Sequence, residues 1–225
     1  MNGEQIEHVR IWSPWLRACH WAIAVGVLFQ VASSWGMTRD AVDPAFWRDW
    51  HVIVGQLMTL ALAARAVLMF FPGTCSWREL APRRSELAAI TQMIKFYLTF
   101  TRFPLPAWFA HNPFWKPLYL AVLVLLALSA LSGLLFHSPY PLAGRSAPAL
   151  HAAVATPIAA FALFHVVAVF LHDLKGRGAF VSAMIGGGRY VHVDRGGPFG
   201  AGRPKGPVSV SVDAIKTPDK TRRTP

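Results

Sequence analysis

The chain has 225 residues, 54% hydrophobic and only 15% charged, with a formal charge of +11. Average soluble chains are about 25% charged. Here the apolar residues fall in long blocks with the charges between them, which excludes a disordered polyelectrolyte and points the positive charge at an anionic membrane surface rather than nucleic acid. Two cysteines, Cys19 and Cys75, exclude a secreted disulfide scaffold and a Cys-ligated iron–sulfur protein.

Ala18 to Thr38 contains no Asp, Glu, Lys or Arg. About 20 apolar residues span a bilayer core, so this block predicts a transmembrane helix. It is too long for the apolar region of a signal peptide, and no small-x-small cleavage site follows it. Trp50 to Phe71 is a second span, interrupted once by Arg65. Pro117 to His137 and His151 to His172 carry no Asp, Glu, Lys or Arg, and Pro157 should bend the last of them. The expected fold is all-α, an integral membrane bundle of four helices.

Lys and Arg are concentrated on cytoplasmic connections. The 39–50 and 138–150 connections hold Arg39, Arg48 and Arg145, while the N-terminus, the 72–116 connection and the segment from Lys175 onward hold eighteen. Both termini are therefore placed in the cytoplasm, as an even number of spans requires. Within 72–116, residues Glu86 to Phe100 place Leu87, Ile90, Ile94 and Leu98 at near-helical spacing, which predicts an interfacial amphipathic helix. From Gly186 onward, 13 of 40 residues are Gly or Pro, too few apolar groups to bury a core. The division expected is a membrane domain over 1–190 and a flexible basic cytoplasmic tail over 191–225.

Ionisable side chains at membrane depth are costly and kept for a purpose. His20 lies near the inner end of the first span, His51 opens the second at the outer end, and the fourth carries His151, His165 and His172. His151 and His165 are 14 residues apart, which returns to within about 40° of one helical face and separates them by about 21 Å along the axis. Depth then pairs His51 with His151 on the outer side and His20 with His165 on the inner. Two imidazoles facing each other at each level are what a bis-His haem needs, so the expected metal ligands are His20, His51, His151 and His165, holding two haems b. Zinc suits the pattern poorly, because no Cys, Asp or Glu joins either level.

Arg65 lies at about the depth of His165, in spans that contain no acid, so it needs an anion such as a haem propionate, or else reaches the interface by snorkelling. Gly55, one turn after His51, leaves room for a flat macrocycle or serves helix packing. His172 competes with His165 as inner ligand by depth, although its neighbour Asp173 suits an interfacial proton or quinone contact. His137 competes with His151. His8 and His192 lie in polar termini.

The chain resembles the di-haem cytochrome b subunits of nickel–iron hydrogenases, with formate dehydrogenase gamma-type subunits and small bacterial quinone-linked cytochromes b as relatives. The resemblance rests on Arg17-Ala-Cys-His20-Trp21, on His51-Val-Ile-Val-Gly55 with Arg65, on His111-Asn112-Pro113, and on His151 with His165. The stretch from His165 to Lys175 and Ser182 to Arg189 complete it, over roughly residues 8–190. It implies a bacterial inner-membrane protein that passes electrons between a periplasmic redox partner and membrane quinone. The partner would be a hydrogenase, another dehydrogenase or a cytochrome c. The resemblance also implies a quinone site near His20, Arg17, Arg65 and His111.

The function expected is thus electron transfer across the bilayer, as a subunit of a quinone-linked oxidoreductase. The rival is a proton relay or transporter using intramembrane histidines without haem, which ordinarily adds buried acids and broken helices. A purely structural anchor would leave the histidines incidental.

Overall fold

The computed structural model of the protein describes residues 5–40, 43–106, 108–175 and 180–193. A short strand β1 (Gln5–Arg10) precedes helices α1 (Pro14–Arg39) and α2 (Pro44–Leu68). Then come α3 (Leu87–Leu98), α4 (Lys116–Leu134), α5 (Ala147–Lys175), α6 (Phe180–Gly186) and strand β2 (Gly188–Val193). Four of these helices, α1, α2, α4 and α5, are long and apolar enough to cross a membrane. The shortest, α4 with 19 residues, still reaches about 29 Å at 1.5 Å per residue.

Local chemistry sets the helix starts. Ser13 accepts from Leu16 N at 3.2 Å, and Asp43 accepts from Phe46 N at 2.9 Å. Pro14 and Pro44 follow in the first turn, where a missing N–H costs nothing. These caps start α1 and α2 earlier than the charge-free blocks do. Arg17 and Arg48 lie within these helices, so absence of charge does not mark helix length. Pro157 lies within α5, whose helical run is unbroken from Ala147 to Lys175.

Helix α1 packs on α2 and α4 on α5, and α2–α4 and α1–α5 contacts close the four into a ring. The core is Val27, Met58, Leu62, Val122, Leu126, Leu150, Val154 and Ile158. Lipid solvates apolar side chains as well as a neighbouring helix does, so close backbone approach holds such bundles together. A Cβ on Gly26 would come 3.0 Å from the Met58 side chain, and one on Gly36 would come 2.5 Å from the Trp47 ring. Outward-facing Leu28, Leu57, Leu60, Val124, Leu163 and Phe164 are exposed, as a lipid-facing surface requires.

The inner end is closed by elements the composition did not announce. Strands β1 and β2 pair antiparallel from Gln5 with Val193 to Arg10 with Gly188, so an otherwise all-α fold carries a two-stranded ribbon. Gly187, at φ +87°, ends α6, and its carbonyl accepts from Ile11 N at 2.8 Å and Trp12 N at 3.0 Å. Ile11, Trp12, Leu16, Cys75 and Ala183 form a second small core there. Residues 5–10 and 188–193 thus meet beside the start of α1. Helix α3 buries Met93 and Phe96 and exposes Leu87 and Leu98, so a helix does form within the 86–100 span expected. Strand β2 carries regular structure to Val193; the rest of the expected tail lies outside the described residues.

Candidate functional site

Four imidazoles face each other in two pairs inside the bundle. His51, in the second turn of α2, and His151, in the second turn of α5, have ring centroids 6.1 Å apart at 73°. His20 on α1 and His165 on α5 stand 6.4 Å apart at 65°. Helix α5 supplies one ring at each level, and the antiparallel α1 and α2 supply the partners from opposite ends.

The two levels differ in what surrounds their Nδ1 atoms. His51 Nδ1 lies 2.9 Å from Ser33 Oγ on α1. His151 Nδ1 lies 2.9 Å from the Ser129 carbonyl and 3.2 Å from Ser132 Oγ, both on α4. Ser33 and Ser132 are fully buried. At the inner level, Nδ1 of His20 and Nδ1 of His165 are buried with no hydrogen-bond partner among the described residues. Aromatic packing holds the inner rings instead: Phe161 stacks on His165 at 5.6 Å, and Trp115 and Tyr119 meet it edge-on at 5.8 and 5.7 Å.

Arg65 is only 7% exposed in the last turn of α2. Its Nη1 donates to the Cys75 carbonyl at 3.2 Å. Arg48–Asp49, Arg83–Glu79 and Lys116–Glu86 pair elsewhere, and among the described residues no carboxylate pairs with Arg65. Arg17 turns its Nη1 to the Ile185 carbonyl at the end of α6, while its Nε is buried without a hydrogen-bond partner among the described residues. Trp21 Nε1 donates to the next carbonyl back, Met184 O, at 3.1 Å. Two side chains from α1 thereby satisfy carbonyls that the end of a helix leaves open.

The remaining histidines take other places. His172 accepts from or donates to Tyr97 Oη at 2.8 Å and packs on Phe96 and Trp108, so it is turned toward α3 and not toward His20. His137 is exposed and touches Phe136. His111, before α4, packs on Trp12 and Tyr119, and its buried Nδ1 has no hydrogen-bond partner among the described residues. Burial, with the positive charges of Arg65 and Lys116, pushes its pKa down to about 3. Gly55 faces Gln30, whose Nε2 would stand 2.6 Å from an added Cβ, so that glycine serves the α1–α2 contact.

The serines behind the outer rings escaped the sequence reading. Their signal is polar residues in otherwise apolar spans at the depth of an outer histidine. Among the described residues, no three His, Cys, Asp or Glu side chains converge as a metal cluster would, so the paired rings are the feature to be explained. Residues 11–187, most of the chain, match the family described as prokaryotic cytochrome b561. No curated protein and no solved structure matches it. With its four spans, the chain belongs to the prokaryotic cytochrome b561 family: it is a multi-pass membrane cytochrome that binds haem b and serves electron transfer.

Proposed function

We propose that this chain is a di-haem cytochrome that passes electrons across the bacterial inner membrane, between a periplasmic-side redox protein and the quinone pool. His51 and His151 hold the outer haem and His20 and His165 the inner one. The observation that carries this is the spacing of the two ring pairs, 6.1 and 6.4 Å between centroids. An imidazole nitrogen sits about 2 Å from a first-row metal, and adding a ring radius of about 1 Å on each side gives roughly 6 Å across a bis-His iron. Rings packed directly on each other gain by stacking or edge contact, but nothing in that requires the same spacing at two depths.

A bound haem supplies a one-electron carrier at each level. The chain's own residues do the rest. Ser33 and Ser129 accept the outer Nδ1 protons, which leaves each Nε2 lone pair for a metal. Phe161, Trp115 and Tyr119 hold the His165 ring and exclude water from it. Arg65, buried and without a carboxylate, supplies the cation that a haem propionate needs.

The quinone site belongs at the inner level, near His20, Arg17, Arg65 and His111. The unpaired buried nitrogens of Arg17 and His111 support this, since polar atoms so placed ordinarily have partners. An apolar groove lined by Tyr97, Phe114, Trp115 and Phe161 opens beside the same level. It would admit an isoprenoid tail from the lipid. The chemistry on the primary substrate falls to the partner, a hydrogenase, another dehydrogenase or a cytochrome c.

The test is haem quantification with a reduced-minus-oxidised spectrum of the purified protein. About two b-type haems per chain are expected, falling to about one in His51→Ala and in His165→Ala. A colourless preparation that still conducts protons would replace this reading by a haem-free relay.

A further inference from the structure

We infer that Ser33 and Ser132 are positioning residues that make the outer haem the lower-potential of the two. The inference rests on the di-haem reading above.

The direction of each outer hydrogen bond can be worked out from its neighbours. Ser33 has one hydroxyl proton, and its Oγ lies 2.8 Å from the Phe29 carbonyl and 3.2 Å from the Gln30 carbonyl. The proton is committed to those carbonyls, so Ser33 offers His51 a lone pair and His51 Nδ1 must donate. For His151 the case is stronger. Its Nδ1 meets the Ser129 carbonyl at 2.9 Å, and a carbonyl can only accept. Ser132 Oγ likewise spends its proton on the Leu128 carbonyl at 2.7 Å. Both outer imidazoles are therefore Nδ1–H tautomers with Nε2 free.

A hydrogen bond accepted from Nδ1–H pushes electron density onto the ring and raises the basicity of Nε2. A more basic axial ligand stabilises the oxidised iron and lowers the potential; such hydrogen bonding is one of the protein's main levers on haem. At the inner level, Nδ1 of His20 and of His165 meets no acceptor among the described residues. Ligand basicity therefore sets the outer level below the inner one in potential. With a haem held by each ring pair, the outer one would be the harder to reduce.

Potentiometric titration of the purified holoprotein, followed in the haem bands, reads this directly. Two waves are expected, and His51→Ala should remove the lower one. Ser33→Ala should move the lower wave to higher potential and leave the upper wave in place. Ser33→Thr, which keeps an acceptor, should restore it. Ser132→Ala should move the lower wave less, because the Ser129 carbonyl remains. The inference is overturned if His51→Ala removes the upper wave, or if the serine variants move the upper wave or neither. Should Ser33→Ala fail to assemble, the wave order and Ser132→Ala still decide. A protein without two haems would instead sink the di-haem reading itself.

Discussion

Lys116 Nζ lies 2.5 Å from Glu86 Oε1, joining the start of α4 to the segment that opens α3. Lys116 is 3% exposed, so the pair fixes the interfacial helix to the bundle at a point where an unpaired ammonium would be costly.

Burial raises the Glu86 carboxyl, but the hydrogen bond and charge of Lys116, with help from Arg83, outweigh it and hold the group below its ordinary 4.5. A depressed carboxylate contributes stability that is complete above its unfolded value and lost as pH falls through the folded one. Glu86→Gln should therefore cost about 2 kcal/mol near neutral pH. The difference in melting temperature from the wild type should shrink below pH 4.5. Thermal unfolding in detergent across pH 3 to 8, a range of about five units, checks both.

His111 gives a second pH signature of a different kind. Its imidazole is lowered from 6.5 to about 3, so the unfolded chain takes the proton first as the solution is acidified. Stability should fall as pH drops between those values and be unaffected above them. His111→Gln should flatten that part of the curve, measured by the same unfolding series.

His172 and His165 are separated by what they touch. His172 is tied to Tyr97 Oη, while His165 faces His20. His172→Gln and Tyr97→Phe should keep the full haem content, whereas His165→Gln should lose about half of it. Pyridine haemochrome assay of the three variants distinguishes them, and loss of haem in His172→Gln would reassign the inner ligand.

Gly36 lies under the Trp47 ring, where a Cβ would stand 2.5 Å from a ring carbon. The ring belongs to a side chain held by its Nε1 bond to Asp40 at 2.9 Å, so it cannot swing away freely. Gly36→Ala should destabilise the α1–α2 hairpin by about 1–3 kcal/mol. Gly55→Ala, which meets only the flexible end of Gln30, should cost less. Melting temperatures of the two variants in one detergent give the comparison.

The spans and the meeting of the rings were legible because both follow from local rules. Rise and angle per residue place His151 and His165 on one face wherever α5 lies, and antiparallel succession sets the depth of His20 and His51. What the chain does not announce is long-range. Strand β1 has little alternation to mark it, and its partner lies some 180 positions away in register with it. Ser33 and Ser132 are ordinary helix serines until the fold puts them behind imidazoles on other helices. Arg65 needed an acceptor, and the Cys75 carbonyl, which no side-chain pattern reveals, provides one.

The ribbon of β1 and β2 sets the order of assembly. Residues 5–10 are synthesised before any span, yet their partners at 188–193 emerge only after all four. Pairing at such separation is slow to form, and here it must wait for insertion to finish. The Arg17 cap on α6 and the Ile11–Trp12 clasp on Gly187 depend on the same late event. The inner mouth therefore stays unlatched until residues 188–193 have been made.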